Sequence, residues 1–231
     1  MIKLKNKFHV DIFKMFSGGL LTQILGVISL PIMARLYAPE LYGEYSIYLQ
    51  MIVAISIVLS FRYEHLLLLS STHEAAINNL KTITMISCIG IIVLPIVMIA
   101  NFEFLEEQYG ITLNTKIIML LVLSGFFTIL SHGLALNLQK NGVFFRSTLG
   151  DSIAKALSLL CGVLFAYSTF KEYGLLLALV LGLLCKVIYL VWISKFDIFK
   201  GQFTFDFKEL RTFSKRSFSL VYSHILSLYQ P

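Results

Sequence analysis

Apolar residues recur in runs of about twenty, separated by short polar stretches, over 13–35, 41–62, 77–100, 116–137, 149–170 and 174–194. A helix rises 1.5 Å per residue, so each run is long enough to cross roughly 30 Å of hydrocarbon. A further apolar stretch begins near Ser217 and reaches Pro231 after about 15 residues, too few to span. The pattern predicts an all-α integral membrane protein. Its parts are a six-helix transmembrane bundle over 1–194, a basic cytoplasmic loop over 195–216 and a truncated start of a seventh helix over 217–231.

Local signals agree with these spans. Ser71-Thr72-His73-Glu74 has the spacing of a capping box and opens the third helix. Pro39 followed by Glu40 suits the first turn of the second: proline needs no amide partner there, and a carboxylate favours the positive helix end. Pro31 and Pro95 fall inside the first and third helices and are expected to kink them, as hinges or as packing bends. An offset of 200 aligns 13–31 with 213–231 and matches Phe13/Phe213, Ser17/Ser217, Leu20/Leu220 and Pro31/Pro231. Six helices between two such copies would let both enter the membrane from one side, the geometry of parallel transporter repeats.

Composition strengthens the membrane reading. Hydrophobic residues form 57% of the chain, charged residues 14%, and the mean hydropathy is +0.81, which leaves no material for a water-facing surface. The net charge of +6 would suggest nucleic acid in a soluble protein, but its distribution points to a bilayer. Arg35, Lys116 and Lys171 fall in outer loops and Lys186 lies inside the sixth span, so fifteen of the nineteen cations, Lys155 among them, fall in inner segments. Short cytoplasmic loops retain basic residues, so the N-terminus is expected in the cytoplasm. The basic start is followed by an apolar run too long for a signal peptide. Cys88, Cys161 and Cys185 lie inside apolar runs without ligand spacing, so neither a metal site nor a cofactor is expected.

No nucleophile elbow, phosphate-cradling glycine loop or paired-carboxylate arrangement is present, and an enzyme is not expected. What remains is polar groups at membrane depth, which are costly unless they face protein or water. Lys186 is the most interior, either a cavity-lining cation or a snorkelling or paired lysine. Arg35 and Arg62 end the first and second helices. Either anchors an interface, with Arg62 paired to Glu64, or lines a cavity that holds phosphates through the guanidinium fork. Asp151 and Lys155 are spaced i, i+4 and read as a solvated helical pair at the start of the fifth helix. Thr22, Gln23, Asn137 and Gln139 bind sugar hydroxyls or bridge helices.

The run Pro31-Ile32-Met33-Ala34-Arg35-Leu36-Tyr37-Ala38-Pro39-Glu40-Leu41-Tyr42-Gly43, followed by Arg62-Tyr63-Glu64, resembles the Wzx-type polysaccharide biosynthesis proteins. These are O-antigen and capsule flippases of the multidrug/oligosaccharidyl-lipid/polysaccharide exporter superfamily, in which Arg-Leu-Tyr-Ser-Pro-Glu-x-Phe-Gly and a later Arg-Tyr-Glu recur. Ala38 departs from the family serine and removes a side-chain cap. The segment 207–231 is similar to the family's entry into its seventh helix. The resemblance implies the N-terminal half of a two-bundle exporter fold in a bacterial inner membrane. It also implies translocation of undecaprenyl-diphosphate-linked oligosaccharide repeat units, incomplete in this chain alone. The implied partners are membrane lipid, the lipid-linked oligosaccharide, a polysaccharide polymerase and glycosyltransferases, with no nucleic acid. A drug or ion antiporter of the same superfamily, and a nonfunctional truncated fragment, stay open as alternatives.

Overall fold

The computed structural model describes residues 2–194 except 62, 65, 66, 68, 69, 71 and 112, with side-chain environments from Phe16 onward. Arg62, the basic loop 195–216, the stretch 217–231 and the second copy of the offset-200 repeat lie outside these residues. Among the described residues all regular structure is helical: α1 (Ile2–Leu36), α2 (Pro39–Ser60), α3 (His73–Ala100), α4 (Phe102–Tyr109), α5 (Thr115–Lys140), α6 (Phe144–Ala166), a 3₁₀ turn (Lys171–Tyr173) and α7 (Gly174–Ile193). Among these residues six helices are long and apolar enough to cross a membrane, beginning with Phe16–Leu36 within α1 and omitting only the short α4. The chain is a multi-pass membrane protein, an all-α bundle.

The ends of these helices follow from local chemistry. Pro39 and Glu40 occupy the first turn of α2 as expected, and Ala38 before them provides no side-chain cap. At α3 the cap is Thr72 rather than Ser71: its Oγ1 accepts the Ala75 amide at 3.2 Å, so the helix starts one residue later than the capping-box spacing suggested. Asn114 caps α5 in the same way, its Oδ1 accepting the Ile117 amide at 2.9 Å. Pro31 and Pro95 both lie inside continuous helices. The segment after α3 holds an unexpected helix, α4. Glu106, within it, accepts the Leu113 amide at 2.7 Å and fastens the loop that leads into α5.

The fifth span differs most from the reading of the sequence. It begins at 144, not 149, and ends at 166, not 170. Gly142, at φ +77°, supports a turn that brings the chain round after α5, and the helix resumes at once. The polar residues that look like a boundary lie inside α6 and find partners on neighbouring elements. Gln139 donates to Ser147 at 3.0 Å, and Ser152 and Thr22 hydroxyls meet at 2.8 Å.

The helices pack around α5, more than half of whose apolar window is buried (56%, against 33% or less for each of the other spans). It contacts α2, α3 and α7 along much of its length, and its Leu121, Val122 and Leu134 are fully enclosed. The tightest pairing is α6 with α7, and α1 rests mainly on α6 at the edge of the bundle. Consecutive helices α1 and α2 touch only slightly, because one lies on α6 and the other on α5. A groove therefore separates them, with α6 and α7 behind it.

Small residues explain the α6–α7 contact. Gly150, Ala154, Ser158 and Gly162 recur every fourth residue on α6, and Gly174, Ala178 and Gly182 do so on α7. Spacing of this kind places small side chains on one helix face, letting backbones approach where apolar burial supplies no driving force. The approach is close: a Cβ on Gly182 would lie 2.6 Å from the Ala154 carbonyl oxygen. Gly162 serves the other neighbour as well, since a Cβ there would lie 2.7 Å from Met33 Cε of α1.

Candidate functional site

The groove between α1 and α2 is lined by Ser29 and Met33 of α1, Tyr42 and Tyr45 of α2, Lys155, Ser158 and Leu159 of α6, and Leu175 and Ala178 of α7. Its volume is about 40 Å³, room for a water or two. The lining combines a cation, serine hydroxyls and two tyrosine rings whose centroids are 6.3 Å apart.

Lys155 is the middle residue of α6, eleven residues from either end, or about 16 Å at 1.5 Å per residue. It is half-buried, and its side chain runs alongside α1, where Cε would lie 3.9 Å from a Cβ on Gly26. The sequence reading had Lys155 in an inner segment; the earlier start of α6 puts it instead at the middle of a helix long and apolar enough to span.

The expected pairing of Asp151 with Lys155 is not what forms. Lys186 Nζ meets Asp151 Oδ1 at 2.6 Å, with the lysine side chain 12% and the aspartate 45% exposed. Asp151 lies seven residues into α6, and Lys186 seven residues before the end of α7, so each stands about 10 Å from the end of its helix, on neighbouring turns of the antiparallel pair. The small-residue faces hold α6 and α7 close enough for this bridge: a Cβ on Gly150, next to Asp151, would sit 3.5 Å from Lys186 Cγ. Lys186 is thus a paired lysine, one of the two readings open from sequence. Among the described residues Lys155 has no ion-pair partner.

The other polar residues singled out in the sequence spread over the bundle. Arg35 is exposed in the last turn of α1. Gln23 is exposed on α1, while its neighbour Thr22 joins α1 to α6. Glu64 and Asn137 are buried, each with one side-chain oxygen that has no hydrogen-bond partner among the described residues. The segment between α2 and α3 is tied to α5 by Lys140, whose ammonium donates to the Leu67 and Ser70 carbonyls. Burial pushes the Tyr63 phenol in that segment above its usual range.

Tyr37, from the motif between α1 and α2, reaches across the bundle and donates to the Gly162 carbonyl at 2.7 Å. Burial raises its phenol pKa, so the hydroxyl stays protonated as the donor this contact requires. Together with Met33 and Leu175 it forms a small apolar cluster that closes one end of the groove. Tyr45, Ser29, Ser158 and Lys155 were not expected in one site. The signal available was positional: 155, 158, 159 and 162 fall on one side of a helix, so polar and small residues there line a face rather than a membrane edge.

Searches of curated proteins and of solved structures find no match to this chain. The polysaccharide biosynthesis protein family model matches residues 10–229, nearly the entire sequence. The helical bundle and its polar groove therefore belong to a member of the polysaccharide biosynthesis protein family.

Proposed function

We propose that the protein translocates an oligosaccharide carried on an isoprenoid diphosphate across a bacterial inner membrane, with its N-terminus in the cytoplasm. The observation that carries this reading is Lys155, a cation without an ion-pair partner among the described residues, in a groove and at the middle of a candidate spanning helix. Charge at that depth is costly unless it serves a ligand or a water-filled path, and a diphosphate is a ligand that must pass it. The serine hydroxyls suit sugar hydroxyls, and the faces of Tyr42 and Tyr45 suit the apolar faces of a sugar ring. The lipid tail stays in the bilayer.

The small volume of the groove, and the slight contact between α1 and α2, suit a cycle in which α1, held chiefly by α6, moves away from α2 to admit the headgroup. Arg35, exposed in the last turn of α1, would gather phosphate at one end of this route, and we assign the same task to Arg62, which follows α2 in the sequence. Moving Lys155 into the membrane lowers the inner tally from fifteen cations to fourteen, against three outside, so the charge bias still supports a cytoplasmic N-terminus. The reading also implies a polymerase and glycosyltransferases as partners. A cation-coupled antiporter would want a free intramembrane carboxylate, whereas Asp151 is engaged by Lys186.

The test is export in cells that depend on this protein. Lys155→Gln, Arg35→Ala and Arg62→Ala should each lose surface polysaccharide while the protein stays in the membrane at normal abundance. Undiminished polysaccharide in Lys155→Gln would refute the groove as the path.

A further inference from the structure

Three charged side chains occupy adjoining turns of α6 and α7. Asp151 stands one helical turn from Lys155 on α6 and bonds to Lys186 of α7 at 2.6 Å. Their sum is one positive charge, two lysines less one aspartate. At this depth water screens charge poorly, so each unit change acts on an anion in the groove far more strongly than at a surface. Among the described residues the nearest other fixed charge is Arg146. It lies more than a turn nearer the end of α6, and the Tyr189 ring lies beside Gly150. Thr22 and Ser152 bridge α1 with hydroxyls.

We propose that Asp151 is the counter-charge that sets the strength of anion binding in this groove. It masks Lys186 and keeps the site at a single net positive charge, so that a diphosphate binds and still leaves. The inference rests on the reading of the groove as a diphosphate path, and it assigns to Asp151 a role that neither sequence spacing nor the family match suggests. Lys186 acts through Asp151. With the partner in place, its 12% exposure leaves little surface for direct contact with a ligand.

The charge arithmetic gives an ordered prediction for the full chain reconstituted in nanodiscs, with geranylgeranyl diphosphate as probe and the uncharged alcohol geranylgeraniol as control. Asp151→Asn raises the net charge to +2 and should tighten binding on the order of tenfold. Lys186→Met leaves Asp151 uncompensated, lowers the charge to zero and should weaken binding by a similar factor. The double variant Asp151→Asn with Lys186→Met returns to +1 and should bind like the unaltered protein. It also removes both partners of the ion pair, so it leaves no unpaired ion there and serves where a single variant does not fold.

Binding in the double variant tenfold tighter or weaker than in the unaltered protein would overturn the proposal. So would equal affinity in all three variants when Lys155→Gln still loses binding, and in that case the diphosphate path would survive. Failure of the unaltered protein to prefer the diphosphate over the alcohol would remove the path itself, and the counter-charge with it. Tighter binding in Asp151→Asn, weaker in Lys186→Met and recovery in the double variant would establish it.

Discussion

Gly182→Ala is the sharpest test of the packing that places the groove's charges. The added Cβ would lie 2.1 Å from Ser158 Oγ and 2.6 Å from the Ala154 carbonyl oxygen. The serine can rotate away. The carbonyl is helix backbone, so relief there needs α6 and α7 to move apart by about 0.8 Å, the gap between 2.6 Å and the 3.4 Å at which ordinary contact begins. Overpacking of this kind costs about 1–3 kcal/mol, and the better helix propensity of alanine returns at most about 1 kcal/mol of that.

The displacement would also reach Lys186, one turn along α7. Stretched by 0.8 Å, the 2.6 Å bridge to Asp151 would become about 3.4 Å, beyond the range of a strong charge-assisted hydrogen bond. Reversible unfolding in mixed micelles, followed by the loss of helical signal, should show a destabilisation of 1–2 kcal/mol. Gly19→Ala is the control, since nothing lies within 4 Å of a Cβ there, and it should be neutral or slightly stabilising. Equal stability of the two variants would refute the argument that backbone approach at Gly182 holds the helices together.

Tyr37→Phe removes the donor to the Gly162 carbonyl and should lower stability by about 1 kcal/mol in the same assay, with no loss of helix content in the folded state. Cysteines placed singly at Gln108 in α4 and at Asn141 between α5 and α6 should react with an impermeant thiol reagent from opposite sides of the membrane, the first from outside. The reverse pattern would invert the topology. The three native cysteines are free thiols and must first be replaced.

Five of the six spans were legible to within a few residues, because a bilayer selects on length and apolarity, both properties of single positions. The fifth was displaced for the complementary reason. Arg146, Ser147, Thr148, Asp151 and Ser152 look like the edge of a membrane when hydropathy is summed, yet Ser147 and Ser152 are buried and bonded to Gln139 and Thr22. Hydropathy cannot record a partner on another helix. The same limit hid the charge arrangement: i, i+4 spacing favoured Asp151 with Lys155, and only the pairing of α6 with α7 brings Lys186 nearer.

The small-residue rows on α6 and α7 were readable, and they carry the missing information. Gly150, Ala154, Ser158 and Gly162 define one face of α6 and Gly174, Ala178 and Gly182 one face of α7, and continuing the second row by four residues arrives at Lys186. An antiparallel helix pair sharing such faces sets residues of nearly constant sum opposite one another: 158 with 182, where the clash distances place them, and 150 with 190, where Leu190 lies 3.4 Å from a Cβ on Gly150. Both sums are 340. Lys186 then falls opposite 154, one helical turn from Asp151 at 150–151 and beside Lys155. Whether it met the aspartate or lay near the other lysine was decided by charge, since two lysines at one level would repel where water is scarce. The face of α6 that packs against α7 thus fixes which cation is neutralised, and Lys155 is left to the groove.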